Sequence, residues 1–458
     1  MTTAPEIVHQ LAEFVEGLDL ESVPADVIHE ARRCVLDTVG VTVAGQSSSV
    51  AQGARRYANQ AFAGGASQVL GLEDKLQPSA AALVNGTAAH ALDFDDTSYT
   101  GIMHGSAVVL PAALAVAEQT GASGRDLLTG FIAGVEVEYA IAEFCTTHLY
   151  FKGWWTSGVY GALGAAAASA RVLGLDANGI ADAMALALSN ASGMKSTFGY
   201  DAKPLGIGLV SSRGVDCAYL AQHGLTGPDS VFEGPGGFLS LYVDDRHGDI
   251  EDLQLGQRWR LRNPGILFKS YPVCSAAQAG AELARNLLRD HDLSAAEVER
   301  VICEVPPLVD ISLVYDSPSK LREAQFSMPF AVGCMLAFGD LGLDHLNEET
   351  LQHNELNEQM NKVHKVVPDH LANDPTVLER CPEGAGVTLV MNNGTEHGDF
   401  LERPTGMPGN PVSDEALMVK FANCLNFAGR DFDRSSSLAR AWLAIDSAAR
   451  PGDLVEVL

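Results

Sequence analysis

A dense group of acidic and hydroxyl side chains, Asp93-Phe94-Asp95-Asp96-Thr97, precedes His104. If the preceding helical pattern continues to this point, Asp93 and Thr97 stand at i and i+4 and share one helix face. His104 lies just before Ser106, which is a typical N-cap for the next helix. A histidine beside a helix N-terminus favours carboxylate binding and offers a proton donor near neutral pH. The alternative is a solvated turn with an ordinary loop histidine.

The spacing Asp93-x-Asp95-x-Thr97 also matches the nucleophile loop of haloacid-dehalogenase-like phosphotransferases, in which the first aspartate attacks phosphorus beside Mg²⁺. That loop must follow a buried β-strand. Residues 84–92 instead have the composition of a small-residue helix and contain no β-branched run. The sequence therefore disfavours this alternative, which predicts Mg²⁺-dependent phosphatase activity.

Helical periodicity predominates up to about residue 262. Apolar residues recur at helix spacing behind Pro5 and Pro24. The stretches 80–91, 107–117, 127–142 and 161–170 are rich in Ala and Gly, whose small side chains let helix axes approach closely. This part of the chain is predicted to form a large helical domain.

The pattern changes near residue 263. A helix is predicted over 276–288, a strand over 301–305, and a hairpin with strands 387–391 and 395–400 around Asn393-Gly394. Ser413 is a typical N-cap for a last helix. We predict a mainly α protein, in which a discontinuous all-helical domain (residues 1–265 and 403–458) carries an inserted, smaller α+β lid domain (266–402). The cleft between the two domains is the expected ligand site.

Composition excludes several classes of function. The chain has 458 residues and a formal net charge of −28, which disfavours binding to nucleic acid or an anionic membrane. No apolar run reaches the ~18 residues of a membrane span, and the N-terminus lacks a signal-peptide pattern, so a cytoplasmic location is expected. The eight cysteines and thirteen histidines show no metal-ligand spacing, so no metal site is expected. An anionic substrate would need a local cluster of basic side chains.

Several long motifs resemble the MmgE/PrpD family, which holds 2-methylcitrate dehydratases, cis-aconitate decarboxylases and iminodisuccinate epimerases. The similar runs are 90–97, 104–114, 124–128, 161–168, Lys203-Pro204-Leu205 and 268–272, so the resemblance covers nearly the whole chain. It implies a two-domain subunit that forms a homodimer, acts on a small polycarboxylate and uses no organic cofactor.

The resemblance also implies a set of site residues. Those with an implied catalytic role are Asp93, Thr97, His104, Lys203, Lys269 and Tyr315, and those with an implied substrate-binding role are Lys203, Lys269, Trp155 and Gln278. The two lysines would bind carboxylates. His104 or a lysine of depressed pKa would remove the proton α to a carboxylate, and Asp93 would orient that base. Thr97 or Tyr315 would hydrogen-bond a carboxylate or protonate a leaving hydroxyl.

Three positions depart from the family pattern: Trp155, Gly206 and Gln278 stand where dehydratase and decarboxylase relatives often have histidine. Because elimination of water needs both a base and an acid, fewer imidazoles weaken the case for dehydration and leave room for epimerisation or for a substrate with a better leaving group. The first hypothesis is a cofactor-independent lyase, with 2-methylcitrate dehydratase as the nearest named activity. The second is an epimerase of the iminodisuccinate type, and the third is a binding protein that has lost catalysis.

Overall fold

The computed structural model describes residues 6–244, 246–430 and 432–458, and helices predominate over strands within them. The prediction of a mainly α fold is confirmed. No helix in this described part of the chain is long and apolar enough to span a bilayer.

The N-terminal half is built from helices that include all four predicted small-residue stretches. They are α1 Ile7–Gly17, α2 Ala25–Gly45, α3 Ser49–Ala61, α4 Pro78–Ala91, α5 Gly105–Thr120, α6 Gly124–Phe144, α7 His148–Lys152, α8 Thr156–Val172, α9 Ala177–Leu188 and α10 Ala202–Gln222. Small residues set the distance between α6 and α8, because a Cβ on Gly134 would lie 2.5 Å from the backbone oxygen of Gly164. Close helix packing there depends on glycine.

Among the described residues, the strands form two short pairs and one larger sheet. Strands β1 Gly64–Gln68 and β2 Lys75–Leu76 pair antiparallel, as do β3 Thr97–Ser98 and β4 Ile266–Leu267. The larger sheet has the order β6-β5-β7-β8, with β5 Val298–Glu304, β6 Val363–Val366, β7 Ala385–Met391 and β8 Glu396–Leu401. The predicted hairpin is confirmed: β7 pairs antiparallel with β8, and the turn residue Gly394 has φ 84°.

Helices cover this sheet, and we call residues 278–401 the sheet unit. Its helices are α11 Gln278–Asp290, α12 Pro307–Ser312, α13 Leu321–Ala324, α14 Met328–Phe338, α15 Glu348–Leu351, α16 Asn354–Met360, α17 Asp369–Ala372 and α18 Val377–Arg380. One hydrophobic core runs without interruption from Val84 on α4 and Ala112 on α5 to Val301 and Leu389 of the sheet. The sheet unit is therefore packed firmly against the helices.

The chain ends in α19 Asp414–Phe427, α20 Phe432–Trp442 and α21 Gly452–Val455. The hydroxyl of Ser413 caps α19 by accepting from the N–H of Ala416, as predicted. Helix α19 packs on α2, where a Cβ on Gly40 would lie 2.9 Å from the ring of Phe421. The division into domains at 265/266 and 402/403 stays a prediction.

The segment between α4 and α5 differs from the expectation. Helix α4 ends at Ala91, and Asp93 then adopts a left-handed conformation with φ 48°. Asp93 and Thr97 consequently do not share a helix face. Ser106 does not cap α5 either, because it lies within the first turn of that helix. Its hydroxyl donates instead to the buried carboxyl group of Asp96 (Oγ to Oδ2, 2.6 Å).

Candidate active site

Two lysines from distant parts of the chain meet at one aspartate. Lys203 lies in the first turn of α10, and Lys269 follows β4, which the pairing with β3 holds beside the loop after α4. Nζ of Lys203 is 2.7 Å from Oδ2 of Asp93, and Nζ of Lys269 is 2.6 Å from Oδ1 and 2.8 Å from the backbone oxygen of the same residue. All three residues are at most 3% exposed. The two ammonium groups thus lie on either side of one buried carboxylate.

Charge pairing outweighs burial in this cluster. Burial alone would raise the pKa of Asp93, but the ammonium groups of Lys203 and Lys269 hold that pKa well below its usual range. Burial alone would lower the pKa of Lys269, but the carboxylates of Asp93 and Asp95 raise it. Asp93 is thus a carboxylate and Lys269 a fixed cation at neutral pH.

A buried histidine–aspartate pair lies behind Lys203. Nδ1 of His90 is 2.9 and 2.8 Å from the two carboxylate oxygens of Asp95, and Nε2 of His90 is 2.5 Å from Nζ of Lys203. Burial lowers the pKa of His90 to about 4, with Asp95 opposing and Lys203 adding to that shift. The pKa of Asp95 lies well below its usual value because the two histidines beside it outweigh its burial. At neutral pH the imidazole is neutral and Asp95 is ionised.

His90 and Asp95 lie within the sequence motif 90–97, but the motif assigned neither residue a role. The two side chains face each other only because α4 ends at Ala91 and the chain then turns back through the left-handed Asp93. A histidine in the last turn of a helix, followed five residues later by an aspartate, was the available signal. This spacing predicts a His–Asp contact only when the helix is known to end between the two residues.

His104 and Thr97 complete the inner wall. Nδ1 of His104 donates to the backbone oxygen of Asp96 at 2.8 Å and lies 3.4 Å from Oγ1 of Thr97. The ring of His104 lies 4.5 Å from that of His90, centroid to centroid. The His104 side chain is 11% exposed, against 0% for His90, so His104 is the more accessible of the two histidines.

Aromatic rings surround Lys203. Its Nζ lies 5.5 Å from the ring of Trp155, 5.2 Å from that of Phe198 and 4.9 Å from that of Phe326. Such contacts favour an ammonium group. Trp155 also stacks on His90, with 5.7 Å between centroids and 27° between planes. It is a buried apolar wall of the site.

Two of the three departures from the family pattern are coupled in space. A Cβ on Gly206 would lie 2.8 Å from Cζ3 of Trp155. The indole therefore occupies the room that a side chain at position 206 would need. One large aromatic ring and one glycine thus stand together at two positions where the family resemblance implies imidazoles.

Two predicted site residues do not converge on the lysine pair. The hydroxyl of Tyr315 donates to the backbone oxygen of Phe198 at 2.9 Å. Oε1 of Gln278 accepts from the N–H groups of Ser270 and Tyr271, both at 3.0 Å. Its Nε2 donates to Tyr271, and to Val273 as well. Gln278 is fully buried and braces the loop that carries Lys269, so it has a supporting role in place of the expected substrate contact.

A second set of carboxyl groups lies on the other side of the same loop. Burial, with Asp37 and Asp95 nearby, raises the pKa of Asp96 to about 8. Burial also raises the pKa of Glu138 well above its usual value, with a smaller contribution from Asp96. These acids are protonated at neutral pH and do not add negative charge to the site.

The side chains of His90, Asp95 and His104 offer ligand atoms within 4.8 Å of one another, which is close enough to hold a cation. Both nitrogens of His90 are already engaged, one with Asp95 and one with Lys203. The hydrogen bond from Lys203 occupies the lone pair on Nε2 of His90 that a metal ion would need. We interpret the cluster as a hydrogen-bonded network of charged and neutral groups.

The sheet unit covers the site through polar contacts. Arg322 bonds with Asp201 (Nε to Oδ1, 3.1 Å) and with the backbone oxygen of Ala91, and the hydroxyl of Tyr99 donates to Glu383 at 2.7 Å. A cavity of about 520 Å³ reaches Lys269 from the side of α19, between Phe94 and residues 340–344. Lys269 is thus a wall of a space large enough for a small polycarboxylate.

Comparison with known proteins agrees with this arrangement. Residues 9–251 match the MmgE/PrpD N-terminal domain and residues 271–442 match the MmgE/PrpD C-terminal domain. Cis-aconitate decarboxylase of Mus musculus is 27% identical over 441 residues (93% of this chain, 88% of the relative), and that of Homo sapiens is 28% identical over 427 residues (91% and 87%). Cis-aconitate decarboxylase of Aspergillus terreus is 23% identical over 479 residues (99% and 96%).

Proposed function

The chain belongs to the MmgE/PrpD family, and from that premise we propose that it is a cofactor-independent lyase that decarboxylates a small unsaturated tricarboxylate of the cis-aconitate kind. The observation that carries the proposal is the pair of buried ammonium groups on Asp93. Two cations share one carboxylate there, in a protein whose net charge is −28. Asp93 and the nearby Asp95 balance the two positive charges, but each ammonium group has three N–H donors and directs two of them to protein acceptors, so the third can bind a substrate carboxylate.

Decarboxylation requires the site to stabilise a negative charge and to deliver a proton. When the carbon–carbon bond to the departing carboxylate breaks, its electron pair stays on the substrate carbon and spreads into the remaining unsaturated carboxylate. Lys203 and Lys269 would stabilise that charge electrostatically. A proton delivered to the carbon then completes the reaction, so that the tricarboxylate and one proton yield a dicarboxylate and CO₂.

Dehydration asks for more than the site supplies. A leaving hydroxide needs an acid in addition to the base that takes the α-proton. Trp155 contributes an apolar wall and Gly206 no side chain, and the amide of Gln278 is fully used by backbone groups. These observations weigh against the 2-methylcitrate dehydratase activity named from the sequence, and the similarity to cis-aconitate decarboxylases favours decarboxylation.

The experiment is product analysis by ¹³C NMR. Incubation of the purified protein with ¹³C-labelled cis-aconitate is expected to yield labelled bicarbonate and a dicarboxylate. Lys269→Ala with an unchanged circular-dichroism spectrum is the matched control and should yield neither. Dehydration of 2-methylcitrate without CO₂ release would overturn the proposal in favour of a dehydratase. Deuterium exchange at an α-carbon in D₂O without a new product would favour an epimerase, and binding without turnover a binding protein.

We also propose that residues 266–402 act as the lid and that two subunits associate. Support for the lid comes from the contacts of Arg322 and Glu383 across the site. Support for association comes from Met194 and Leu209, which border one cavity and are 58% and 53% exposed. Light scattering of the purified protein is expected to give about twice the 48.4 kDa subunit mass, and Leu209→Lys should shift it towards the monomer.

A further inference from the structure

We infer that Lys203, and not Lys269, is the lysine that transfers a proton to the substrate, and that His90 is the positioning residue that makes this possible. The inference rests on the proposed function for the identity of the substrate. It concerns two residues, His90 and Asp95, that lie behind the lysine pair and to which the sequence motifs assign no role.

The two lysines differ in what accepts their hydrogen bonds. Lys269 donates to two oxygens of Asp93, the carboxylate Oδ1 and the backbone oxygen. Lys203 donates to the carboxylate Oδ2 of Asp93 and to a neutral nitrogen, Nε2 of His90. Lys269 is consequently locked as a cation by oxygen acceptors, and its pKa is raised. Lys203 has a partner that carries no charge.

Asp95 fixes the tautomer of His90. A carboxylate accepts only, so the nitrogen that faces both Asp95 oxygens, Nδ1, must carry the hydrogen. Nε2 of the neutral ring therefore presents a lone pair to Lys203. The pKa of about 4 given to His90 by its burial keeps the ring in this neutral form at physiological pH.

This tautomer holds Lys203 in place in both of its charge states. An ammonium has three N–H groups, of which one is directed to Asp93 and one to Nε2 of His90, so the third is left for the substrate. In the transfer step that N–H bond breaks and a carbon–hydrogen bond forms, which leaves a neutral amine. The amine can still donate to Nε2, and a proton from solvent restores the ammonium. Transfer from Lys269 would instead remove a charge that Asp93 holds with two bonds.

The side chains that face His90 come from three parts of the fold. Asp93, Asp95 and His104 lie in the segment between α4 and the start of α5, Lys203 on α10, and Trp155 just before α8. Positive charge from Lys203 and the covering indole of Trp155 both oppose protonation of the ring. Asp95 alone bonds to it as an anion, and that bond sets the tautomer.

The test combines kinetics with a readout that needs no turnover. His90→Gln keeps an acceptor for Lys203 and a donor for Asp95, so kcat should stay within about tenfold of the wild type. His90→Leu removes both groups, and kcat should fall at least 100-fold while KM changes less than threefold. His291→Leu, at an exposed site remote from the lysines, is the control and should leave both constants unchanged. Equal loss in the Gln and Leu variants, or none in either, would overturn the inference.

Nitrogen-15 NMR of histidine-labelled protein decides the tautomer directly. The His90 signals, assigned as those missing from His90→Gln, should show a protonated Nδ1, a bare Nε2 and no titration between pH 5 and 9. A protonated Nε2, or a titration near pH 6.5, would overturn the inference whether or not the enzyme turns over. Failure of the wild type to decarboxylate any tricarboxylate would instead overturn the proposed function and leave this spectrum to decide the role of His90.

Discussion

Four adjacent positions of one loop carry three aspartates that differ completely in their chemistry. Asp93 and Asp95 face the lysines and the two histidines, and their pKa values lie well below the usual range. Asp96 faces Asp37 and the hydroxyl of Ser106, and its pKa is raised to about 8. All three are almost completely buried, at most 3% exposed. Burial therefore does not decide the charge of a carboxyl group here; the presence of a cationic partner does.

The backbone produces this separation. Because Asp93 is left-handed, its carboxylate turns away from the end of α4 and towards the lysines. Asp96 points to the opposite side, where Ser106 donates to it from the first turn of α5. The loop thus has a charged front, formed by Asp93 and Asp95, and a neutral back, formed by Asp96. Substitutions on the front should lower the unfolding free energy by breaking ion pairs, whereas substitutions on the back should change how that free energy depends on pH.

The largest effect is expected at the front. Lys269→Met leaves the carboxylate of Asp93 with one cation in place of two, and breaking a buried ion pair in this way costs about 3–5 kcal/mol of unfolding free energy. Urea denaturation measures it. The double variant Lys269→Met with Asp93→Asn removes the stranded charge and should recover most of that stability without activity. A loss below about 1 kcal/mol for the single variant would contradict the account.

The back face should respond to pH instead. The folded-state pKa of Asp96 is about 8, above its unfolded value, so the folded protein holds a proton that the unfolded chain releases above about pH 4. Stability from this group is complete below the unfolded pKa and is lost as pH rises to about 8. The expected loss between pH 5 and 9 is ~2–4 kcal/mol by denaturant titration. Asp96→Asn should remove this part of the decline and leave the part that other buried acids such as Glu136 and Glu138 cause, so an equally steep decline in the variant would assign the pH dependence elsewhere.

The stability of the protein should depend on side-chain size where Gly206 contacts Trp155. Gly206→Ala places a Cβ 2.8 Å from the indole of Trp155, and overpacking of this kind costs about 1–3 kcal/mol. Gly53→Ala, in helix α3 with no atom closer than 3.9 Å to the new Cβ, is the control and should stabilise by about 0.5–1 kcal/mol. Combining Gly206→Ala with Trp155→Phe should recover part of the loss in thermal denaturation. Additive losses would mean that the two positions are not coupled.

The smallest effect is expected at the rim. Tyr315→Phe removes one hydrogen bond, to the backbone oxygen of Phe198, which is worth about 1 kcal/mol. Because the hydroxyl is directed at that oxygen and not at the lysines, kcat should change less than about threefold. Steady-state kinetics provides the measurement. A 100-fold fall in kcat would return Tyr315 to the catalytic role implied by the family resemblance.

Much of the fold follows from local pattern, because small-residue helices and an Asn-Gly hairpin are specified by neighbours in the chain. The approach of Lys203 and Lys269 to Asp93 spans 110 and 176 residues, and only the family resemblance brought them together in advance. The His90–Asp95 pair was missed because it depends on where α4 ends. The predicted N-cap role of Ser106 was wrong because its hydroxyl bonds to the buried carboxyl group of Asp96 and not to the helix backbone.

Binding of a tricarboxylate tests the central claim, that the lysine pair on Asp93 holds the substrate. Isothermal titration calorimetry with cis-aconitate should give a defined affinity for the wild type. Lys203→Met and Lys269→Met, each checked for native circular dichroism, should weaken that affinity by at least about 100-fold, equivalent to about 2.7 kcal/mol. Unchanged affinity in both variants would contradict the claim, because the anion would then be held somewhere other than between these two ammonium groups.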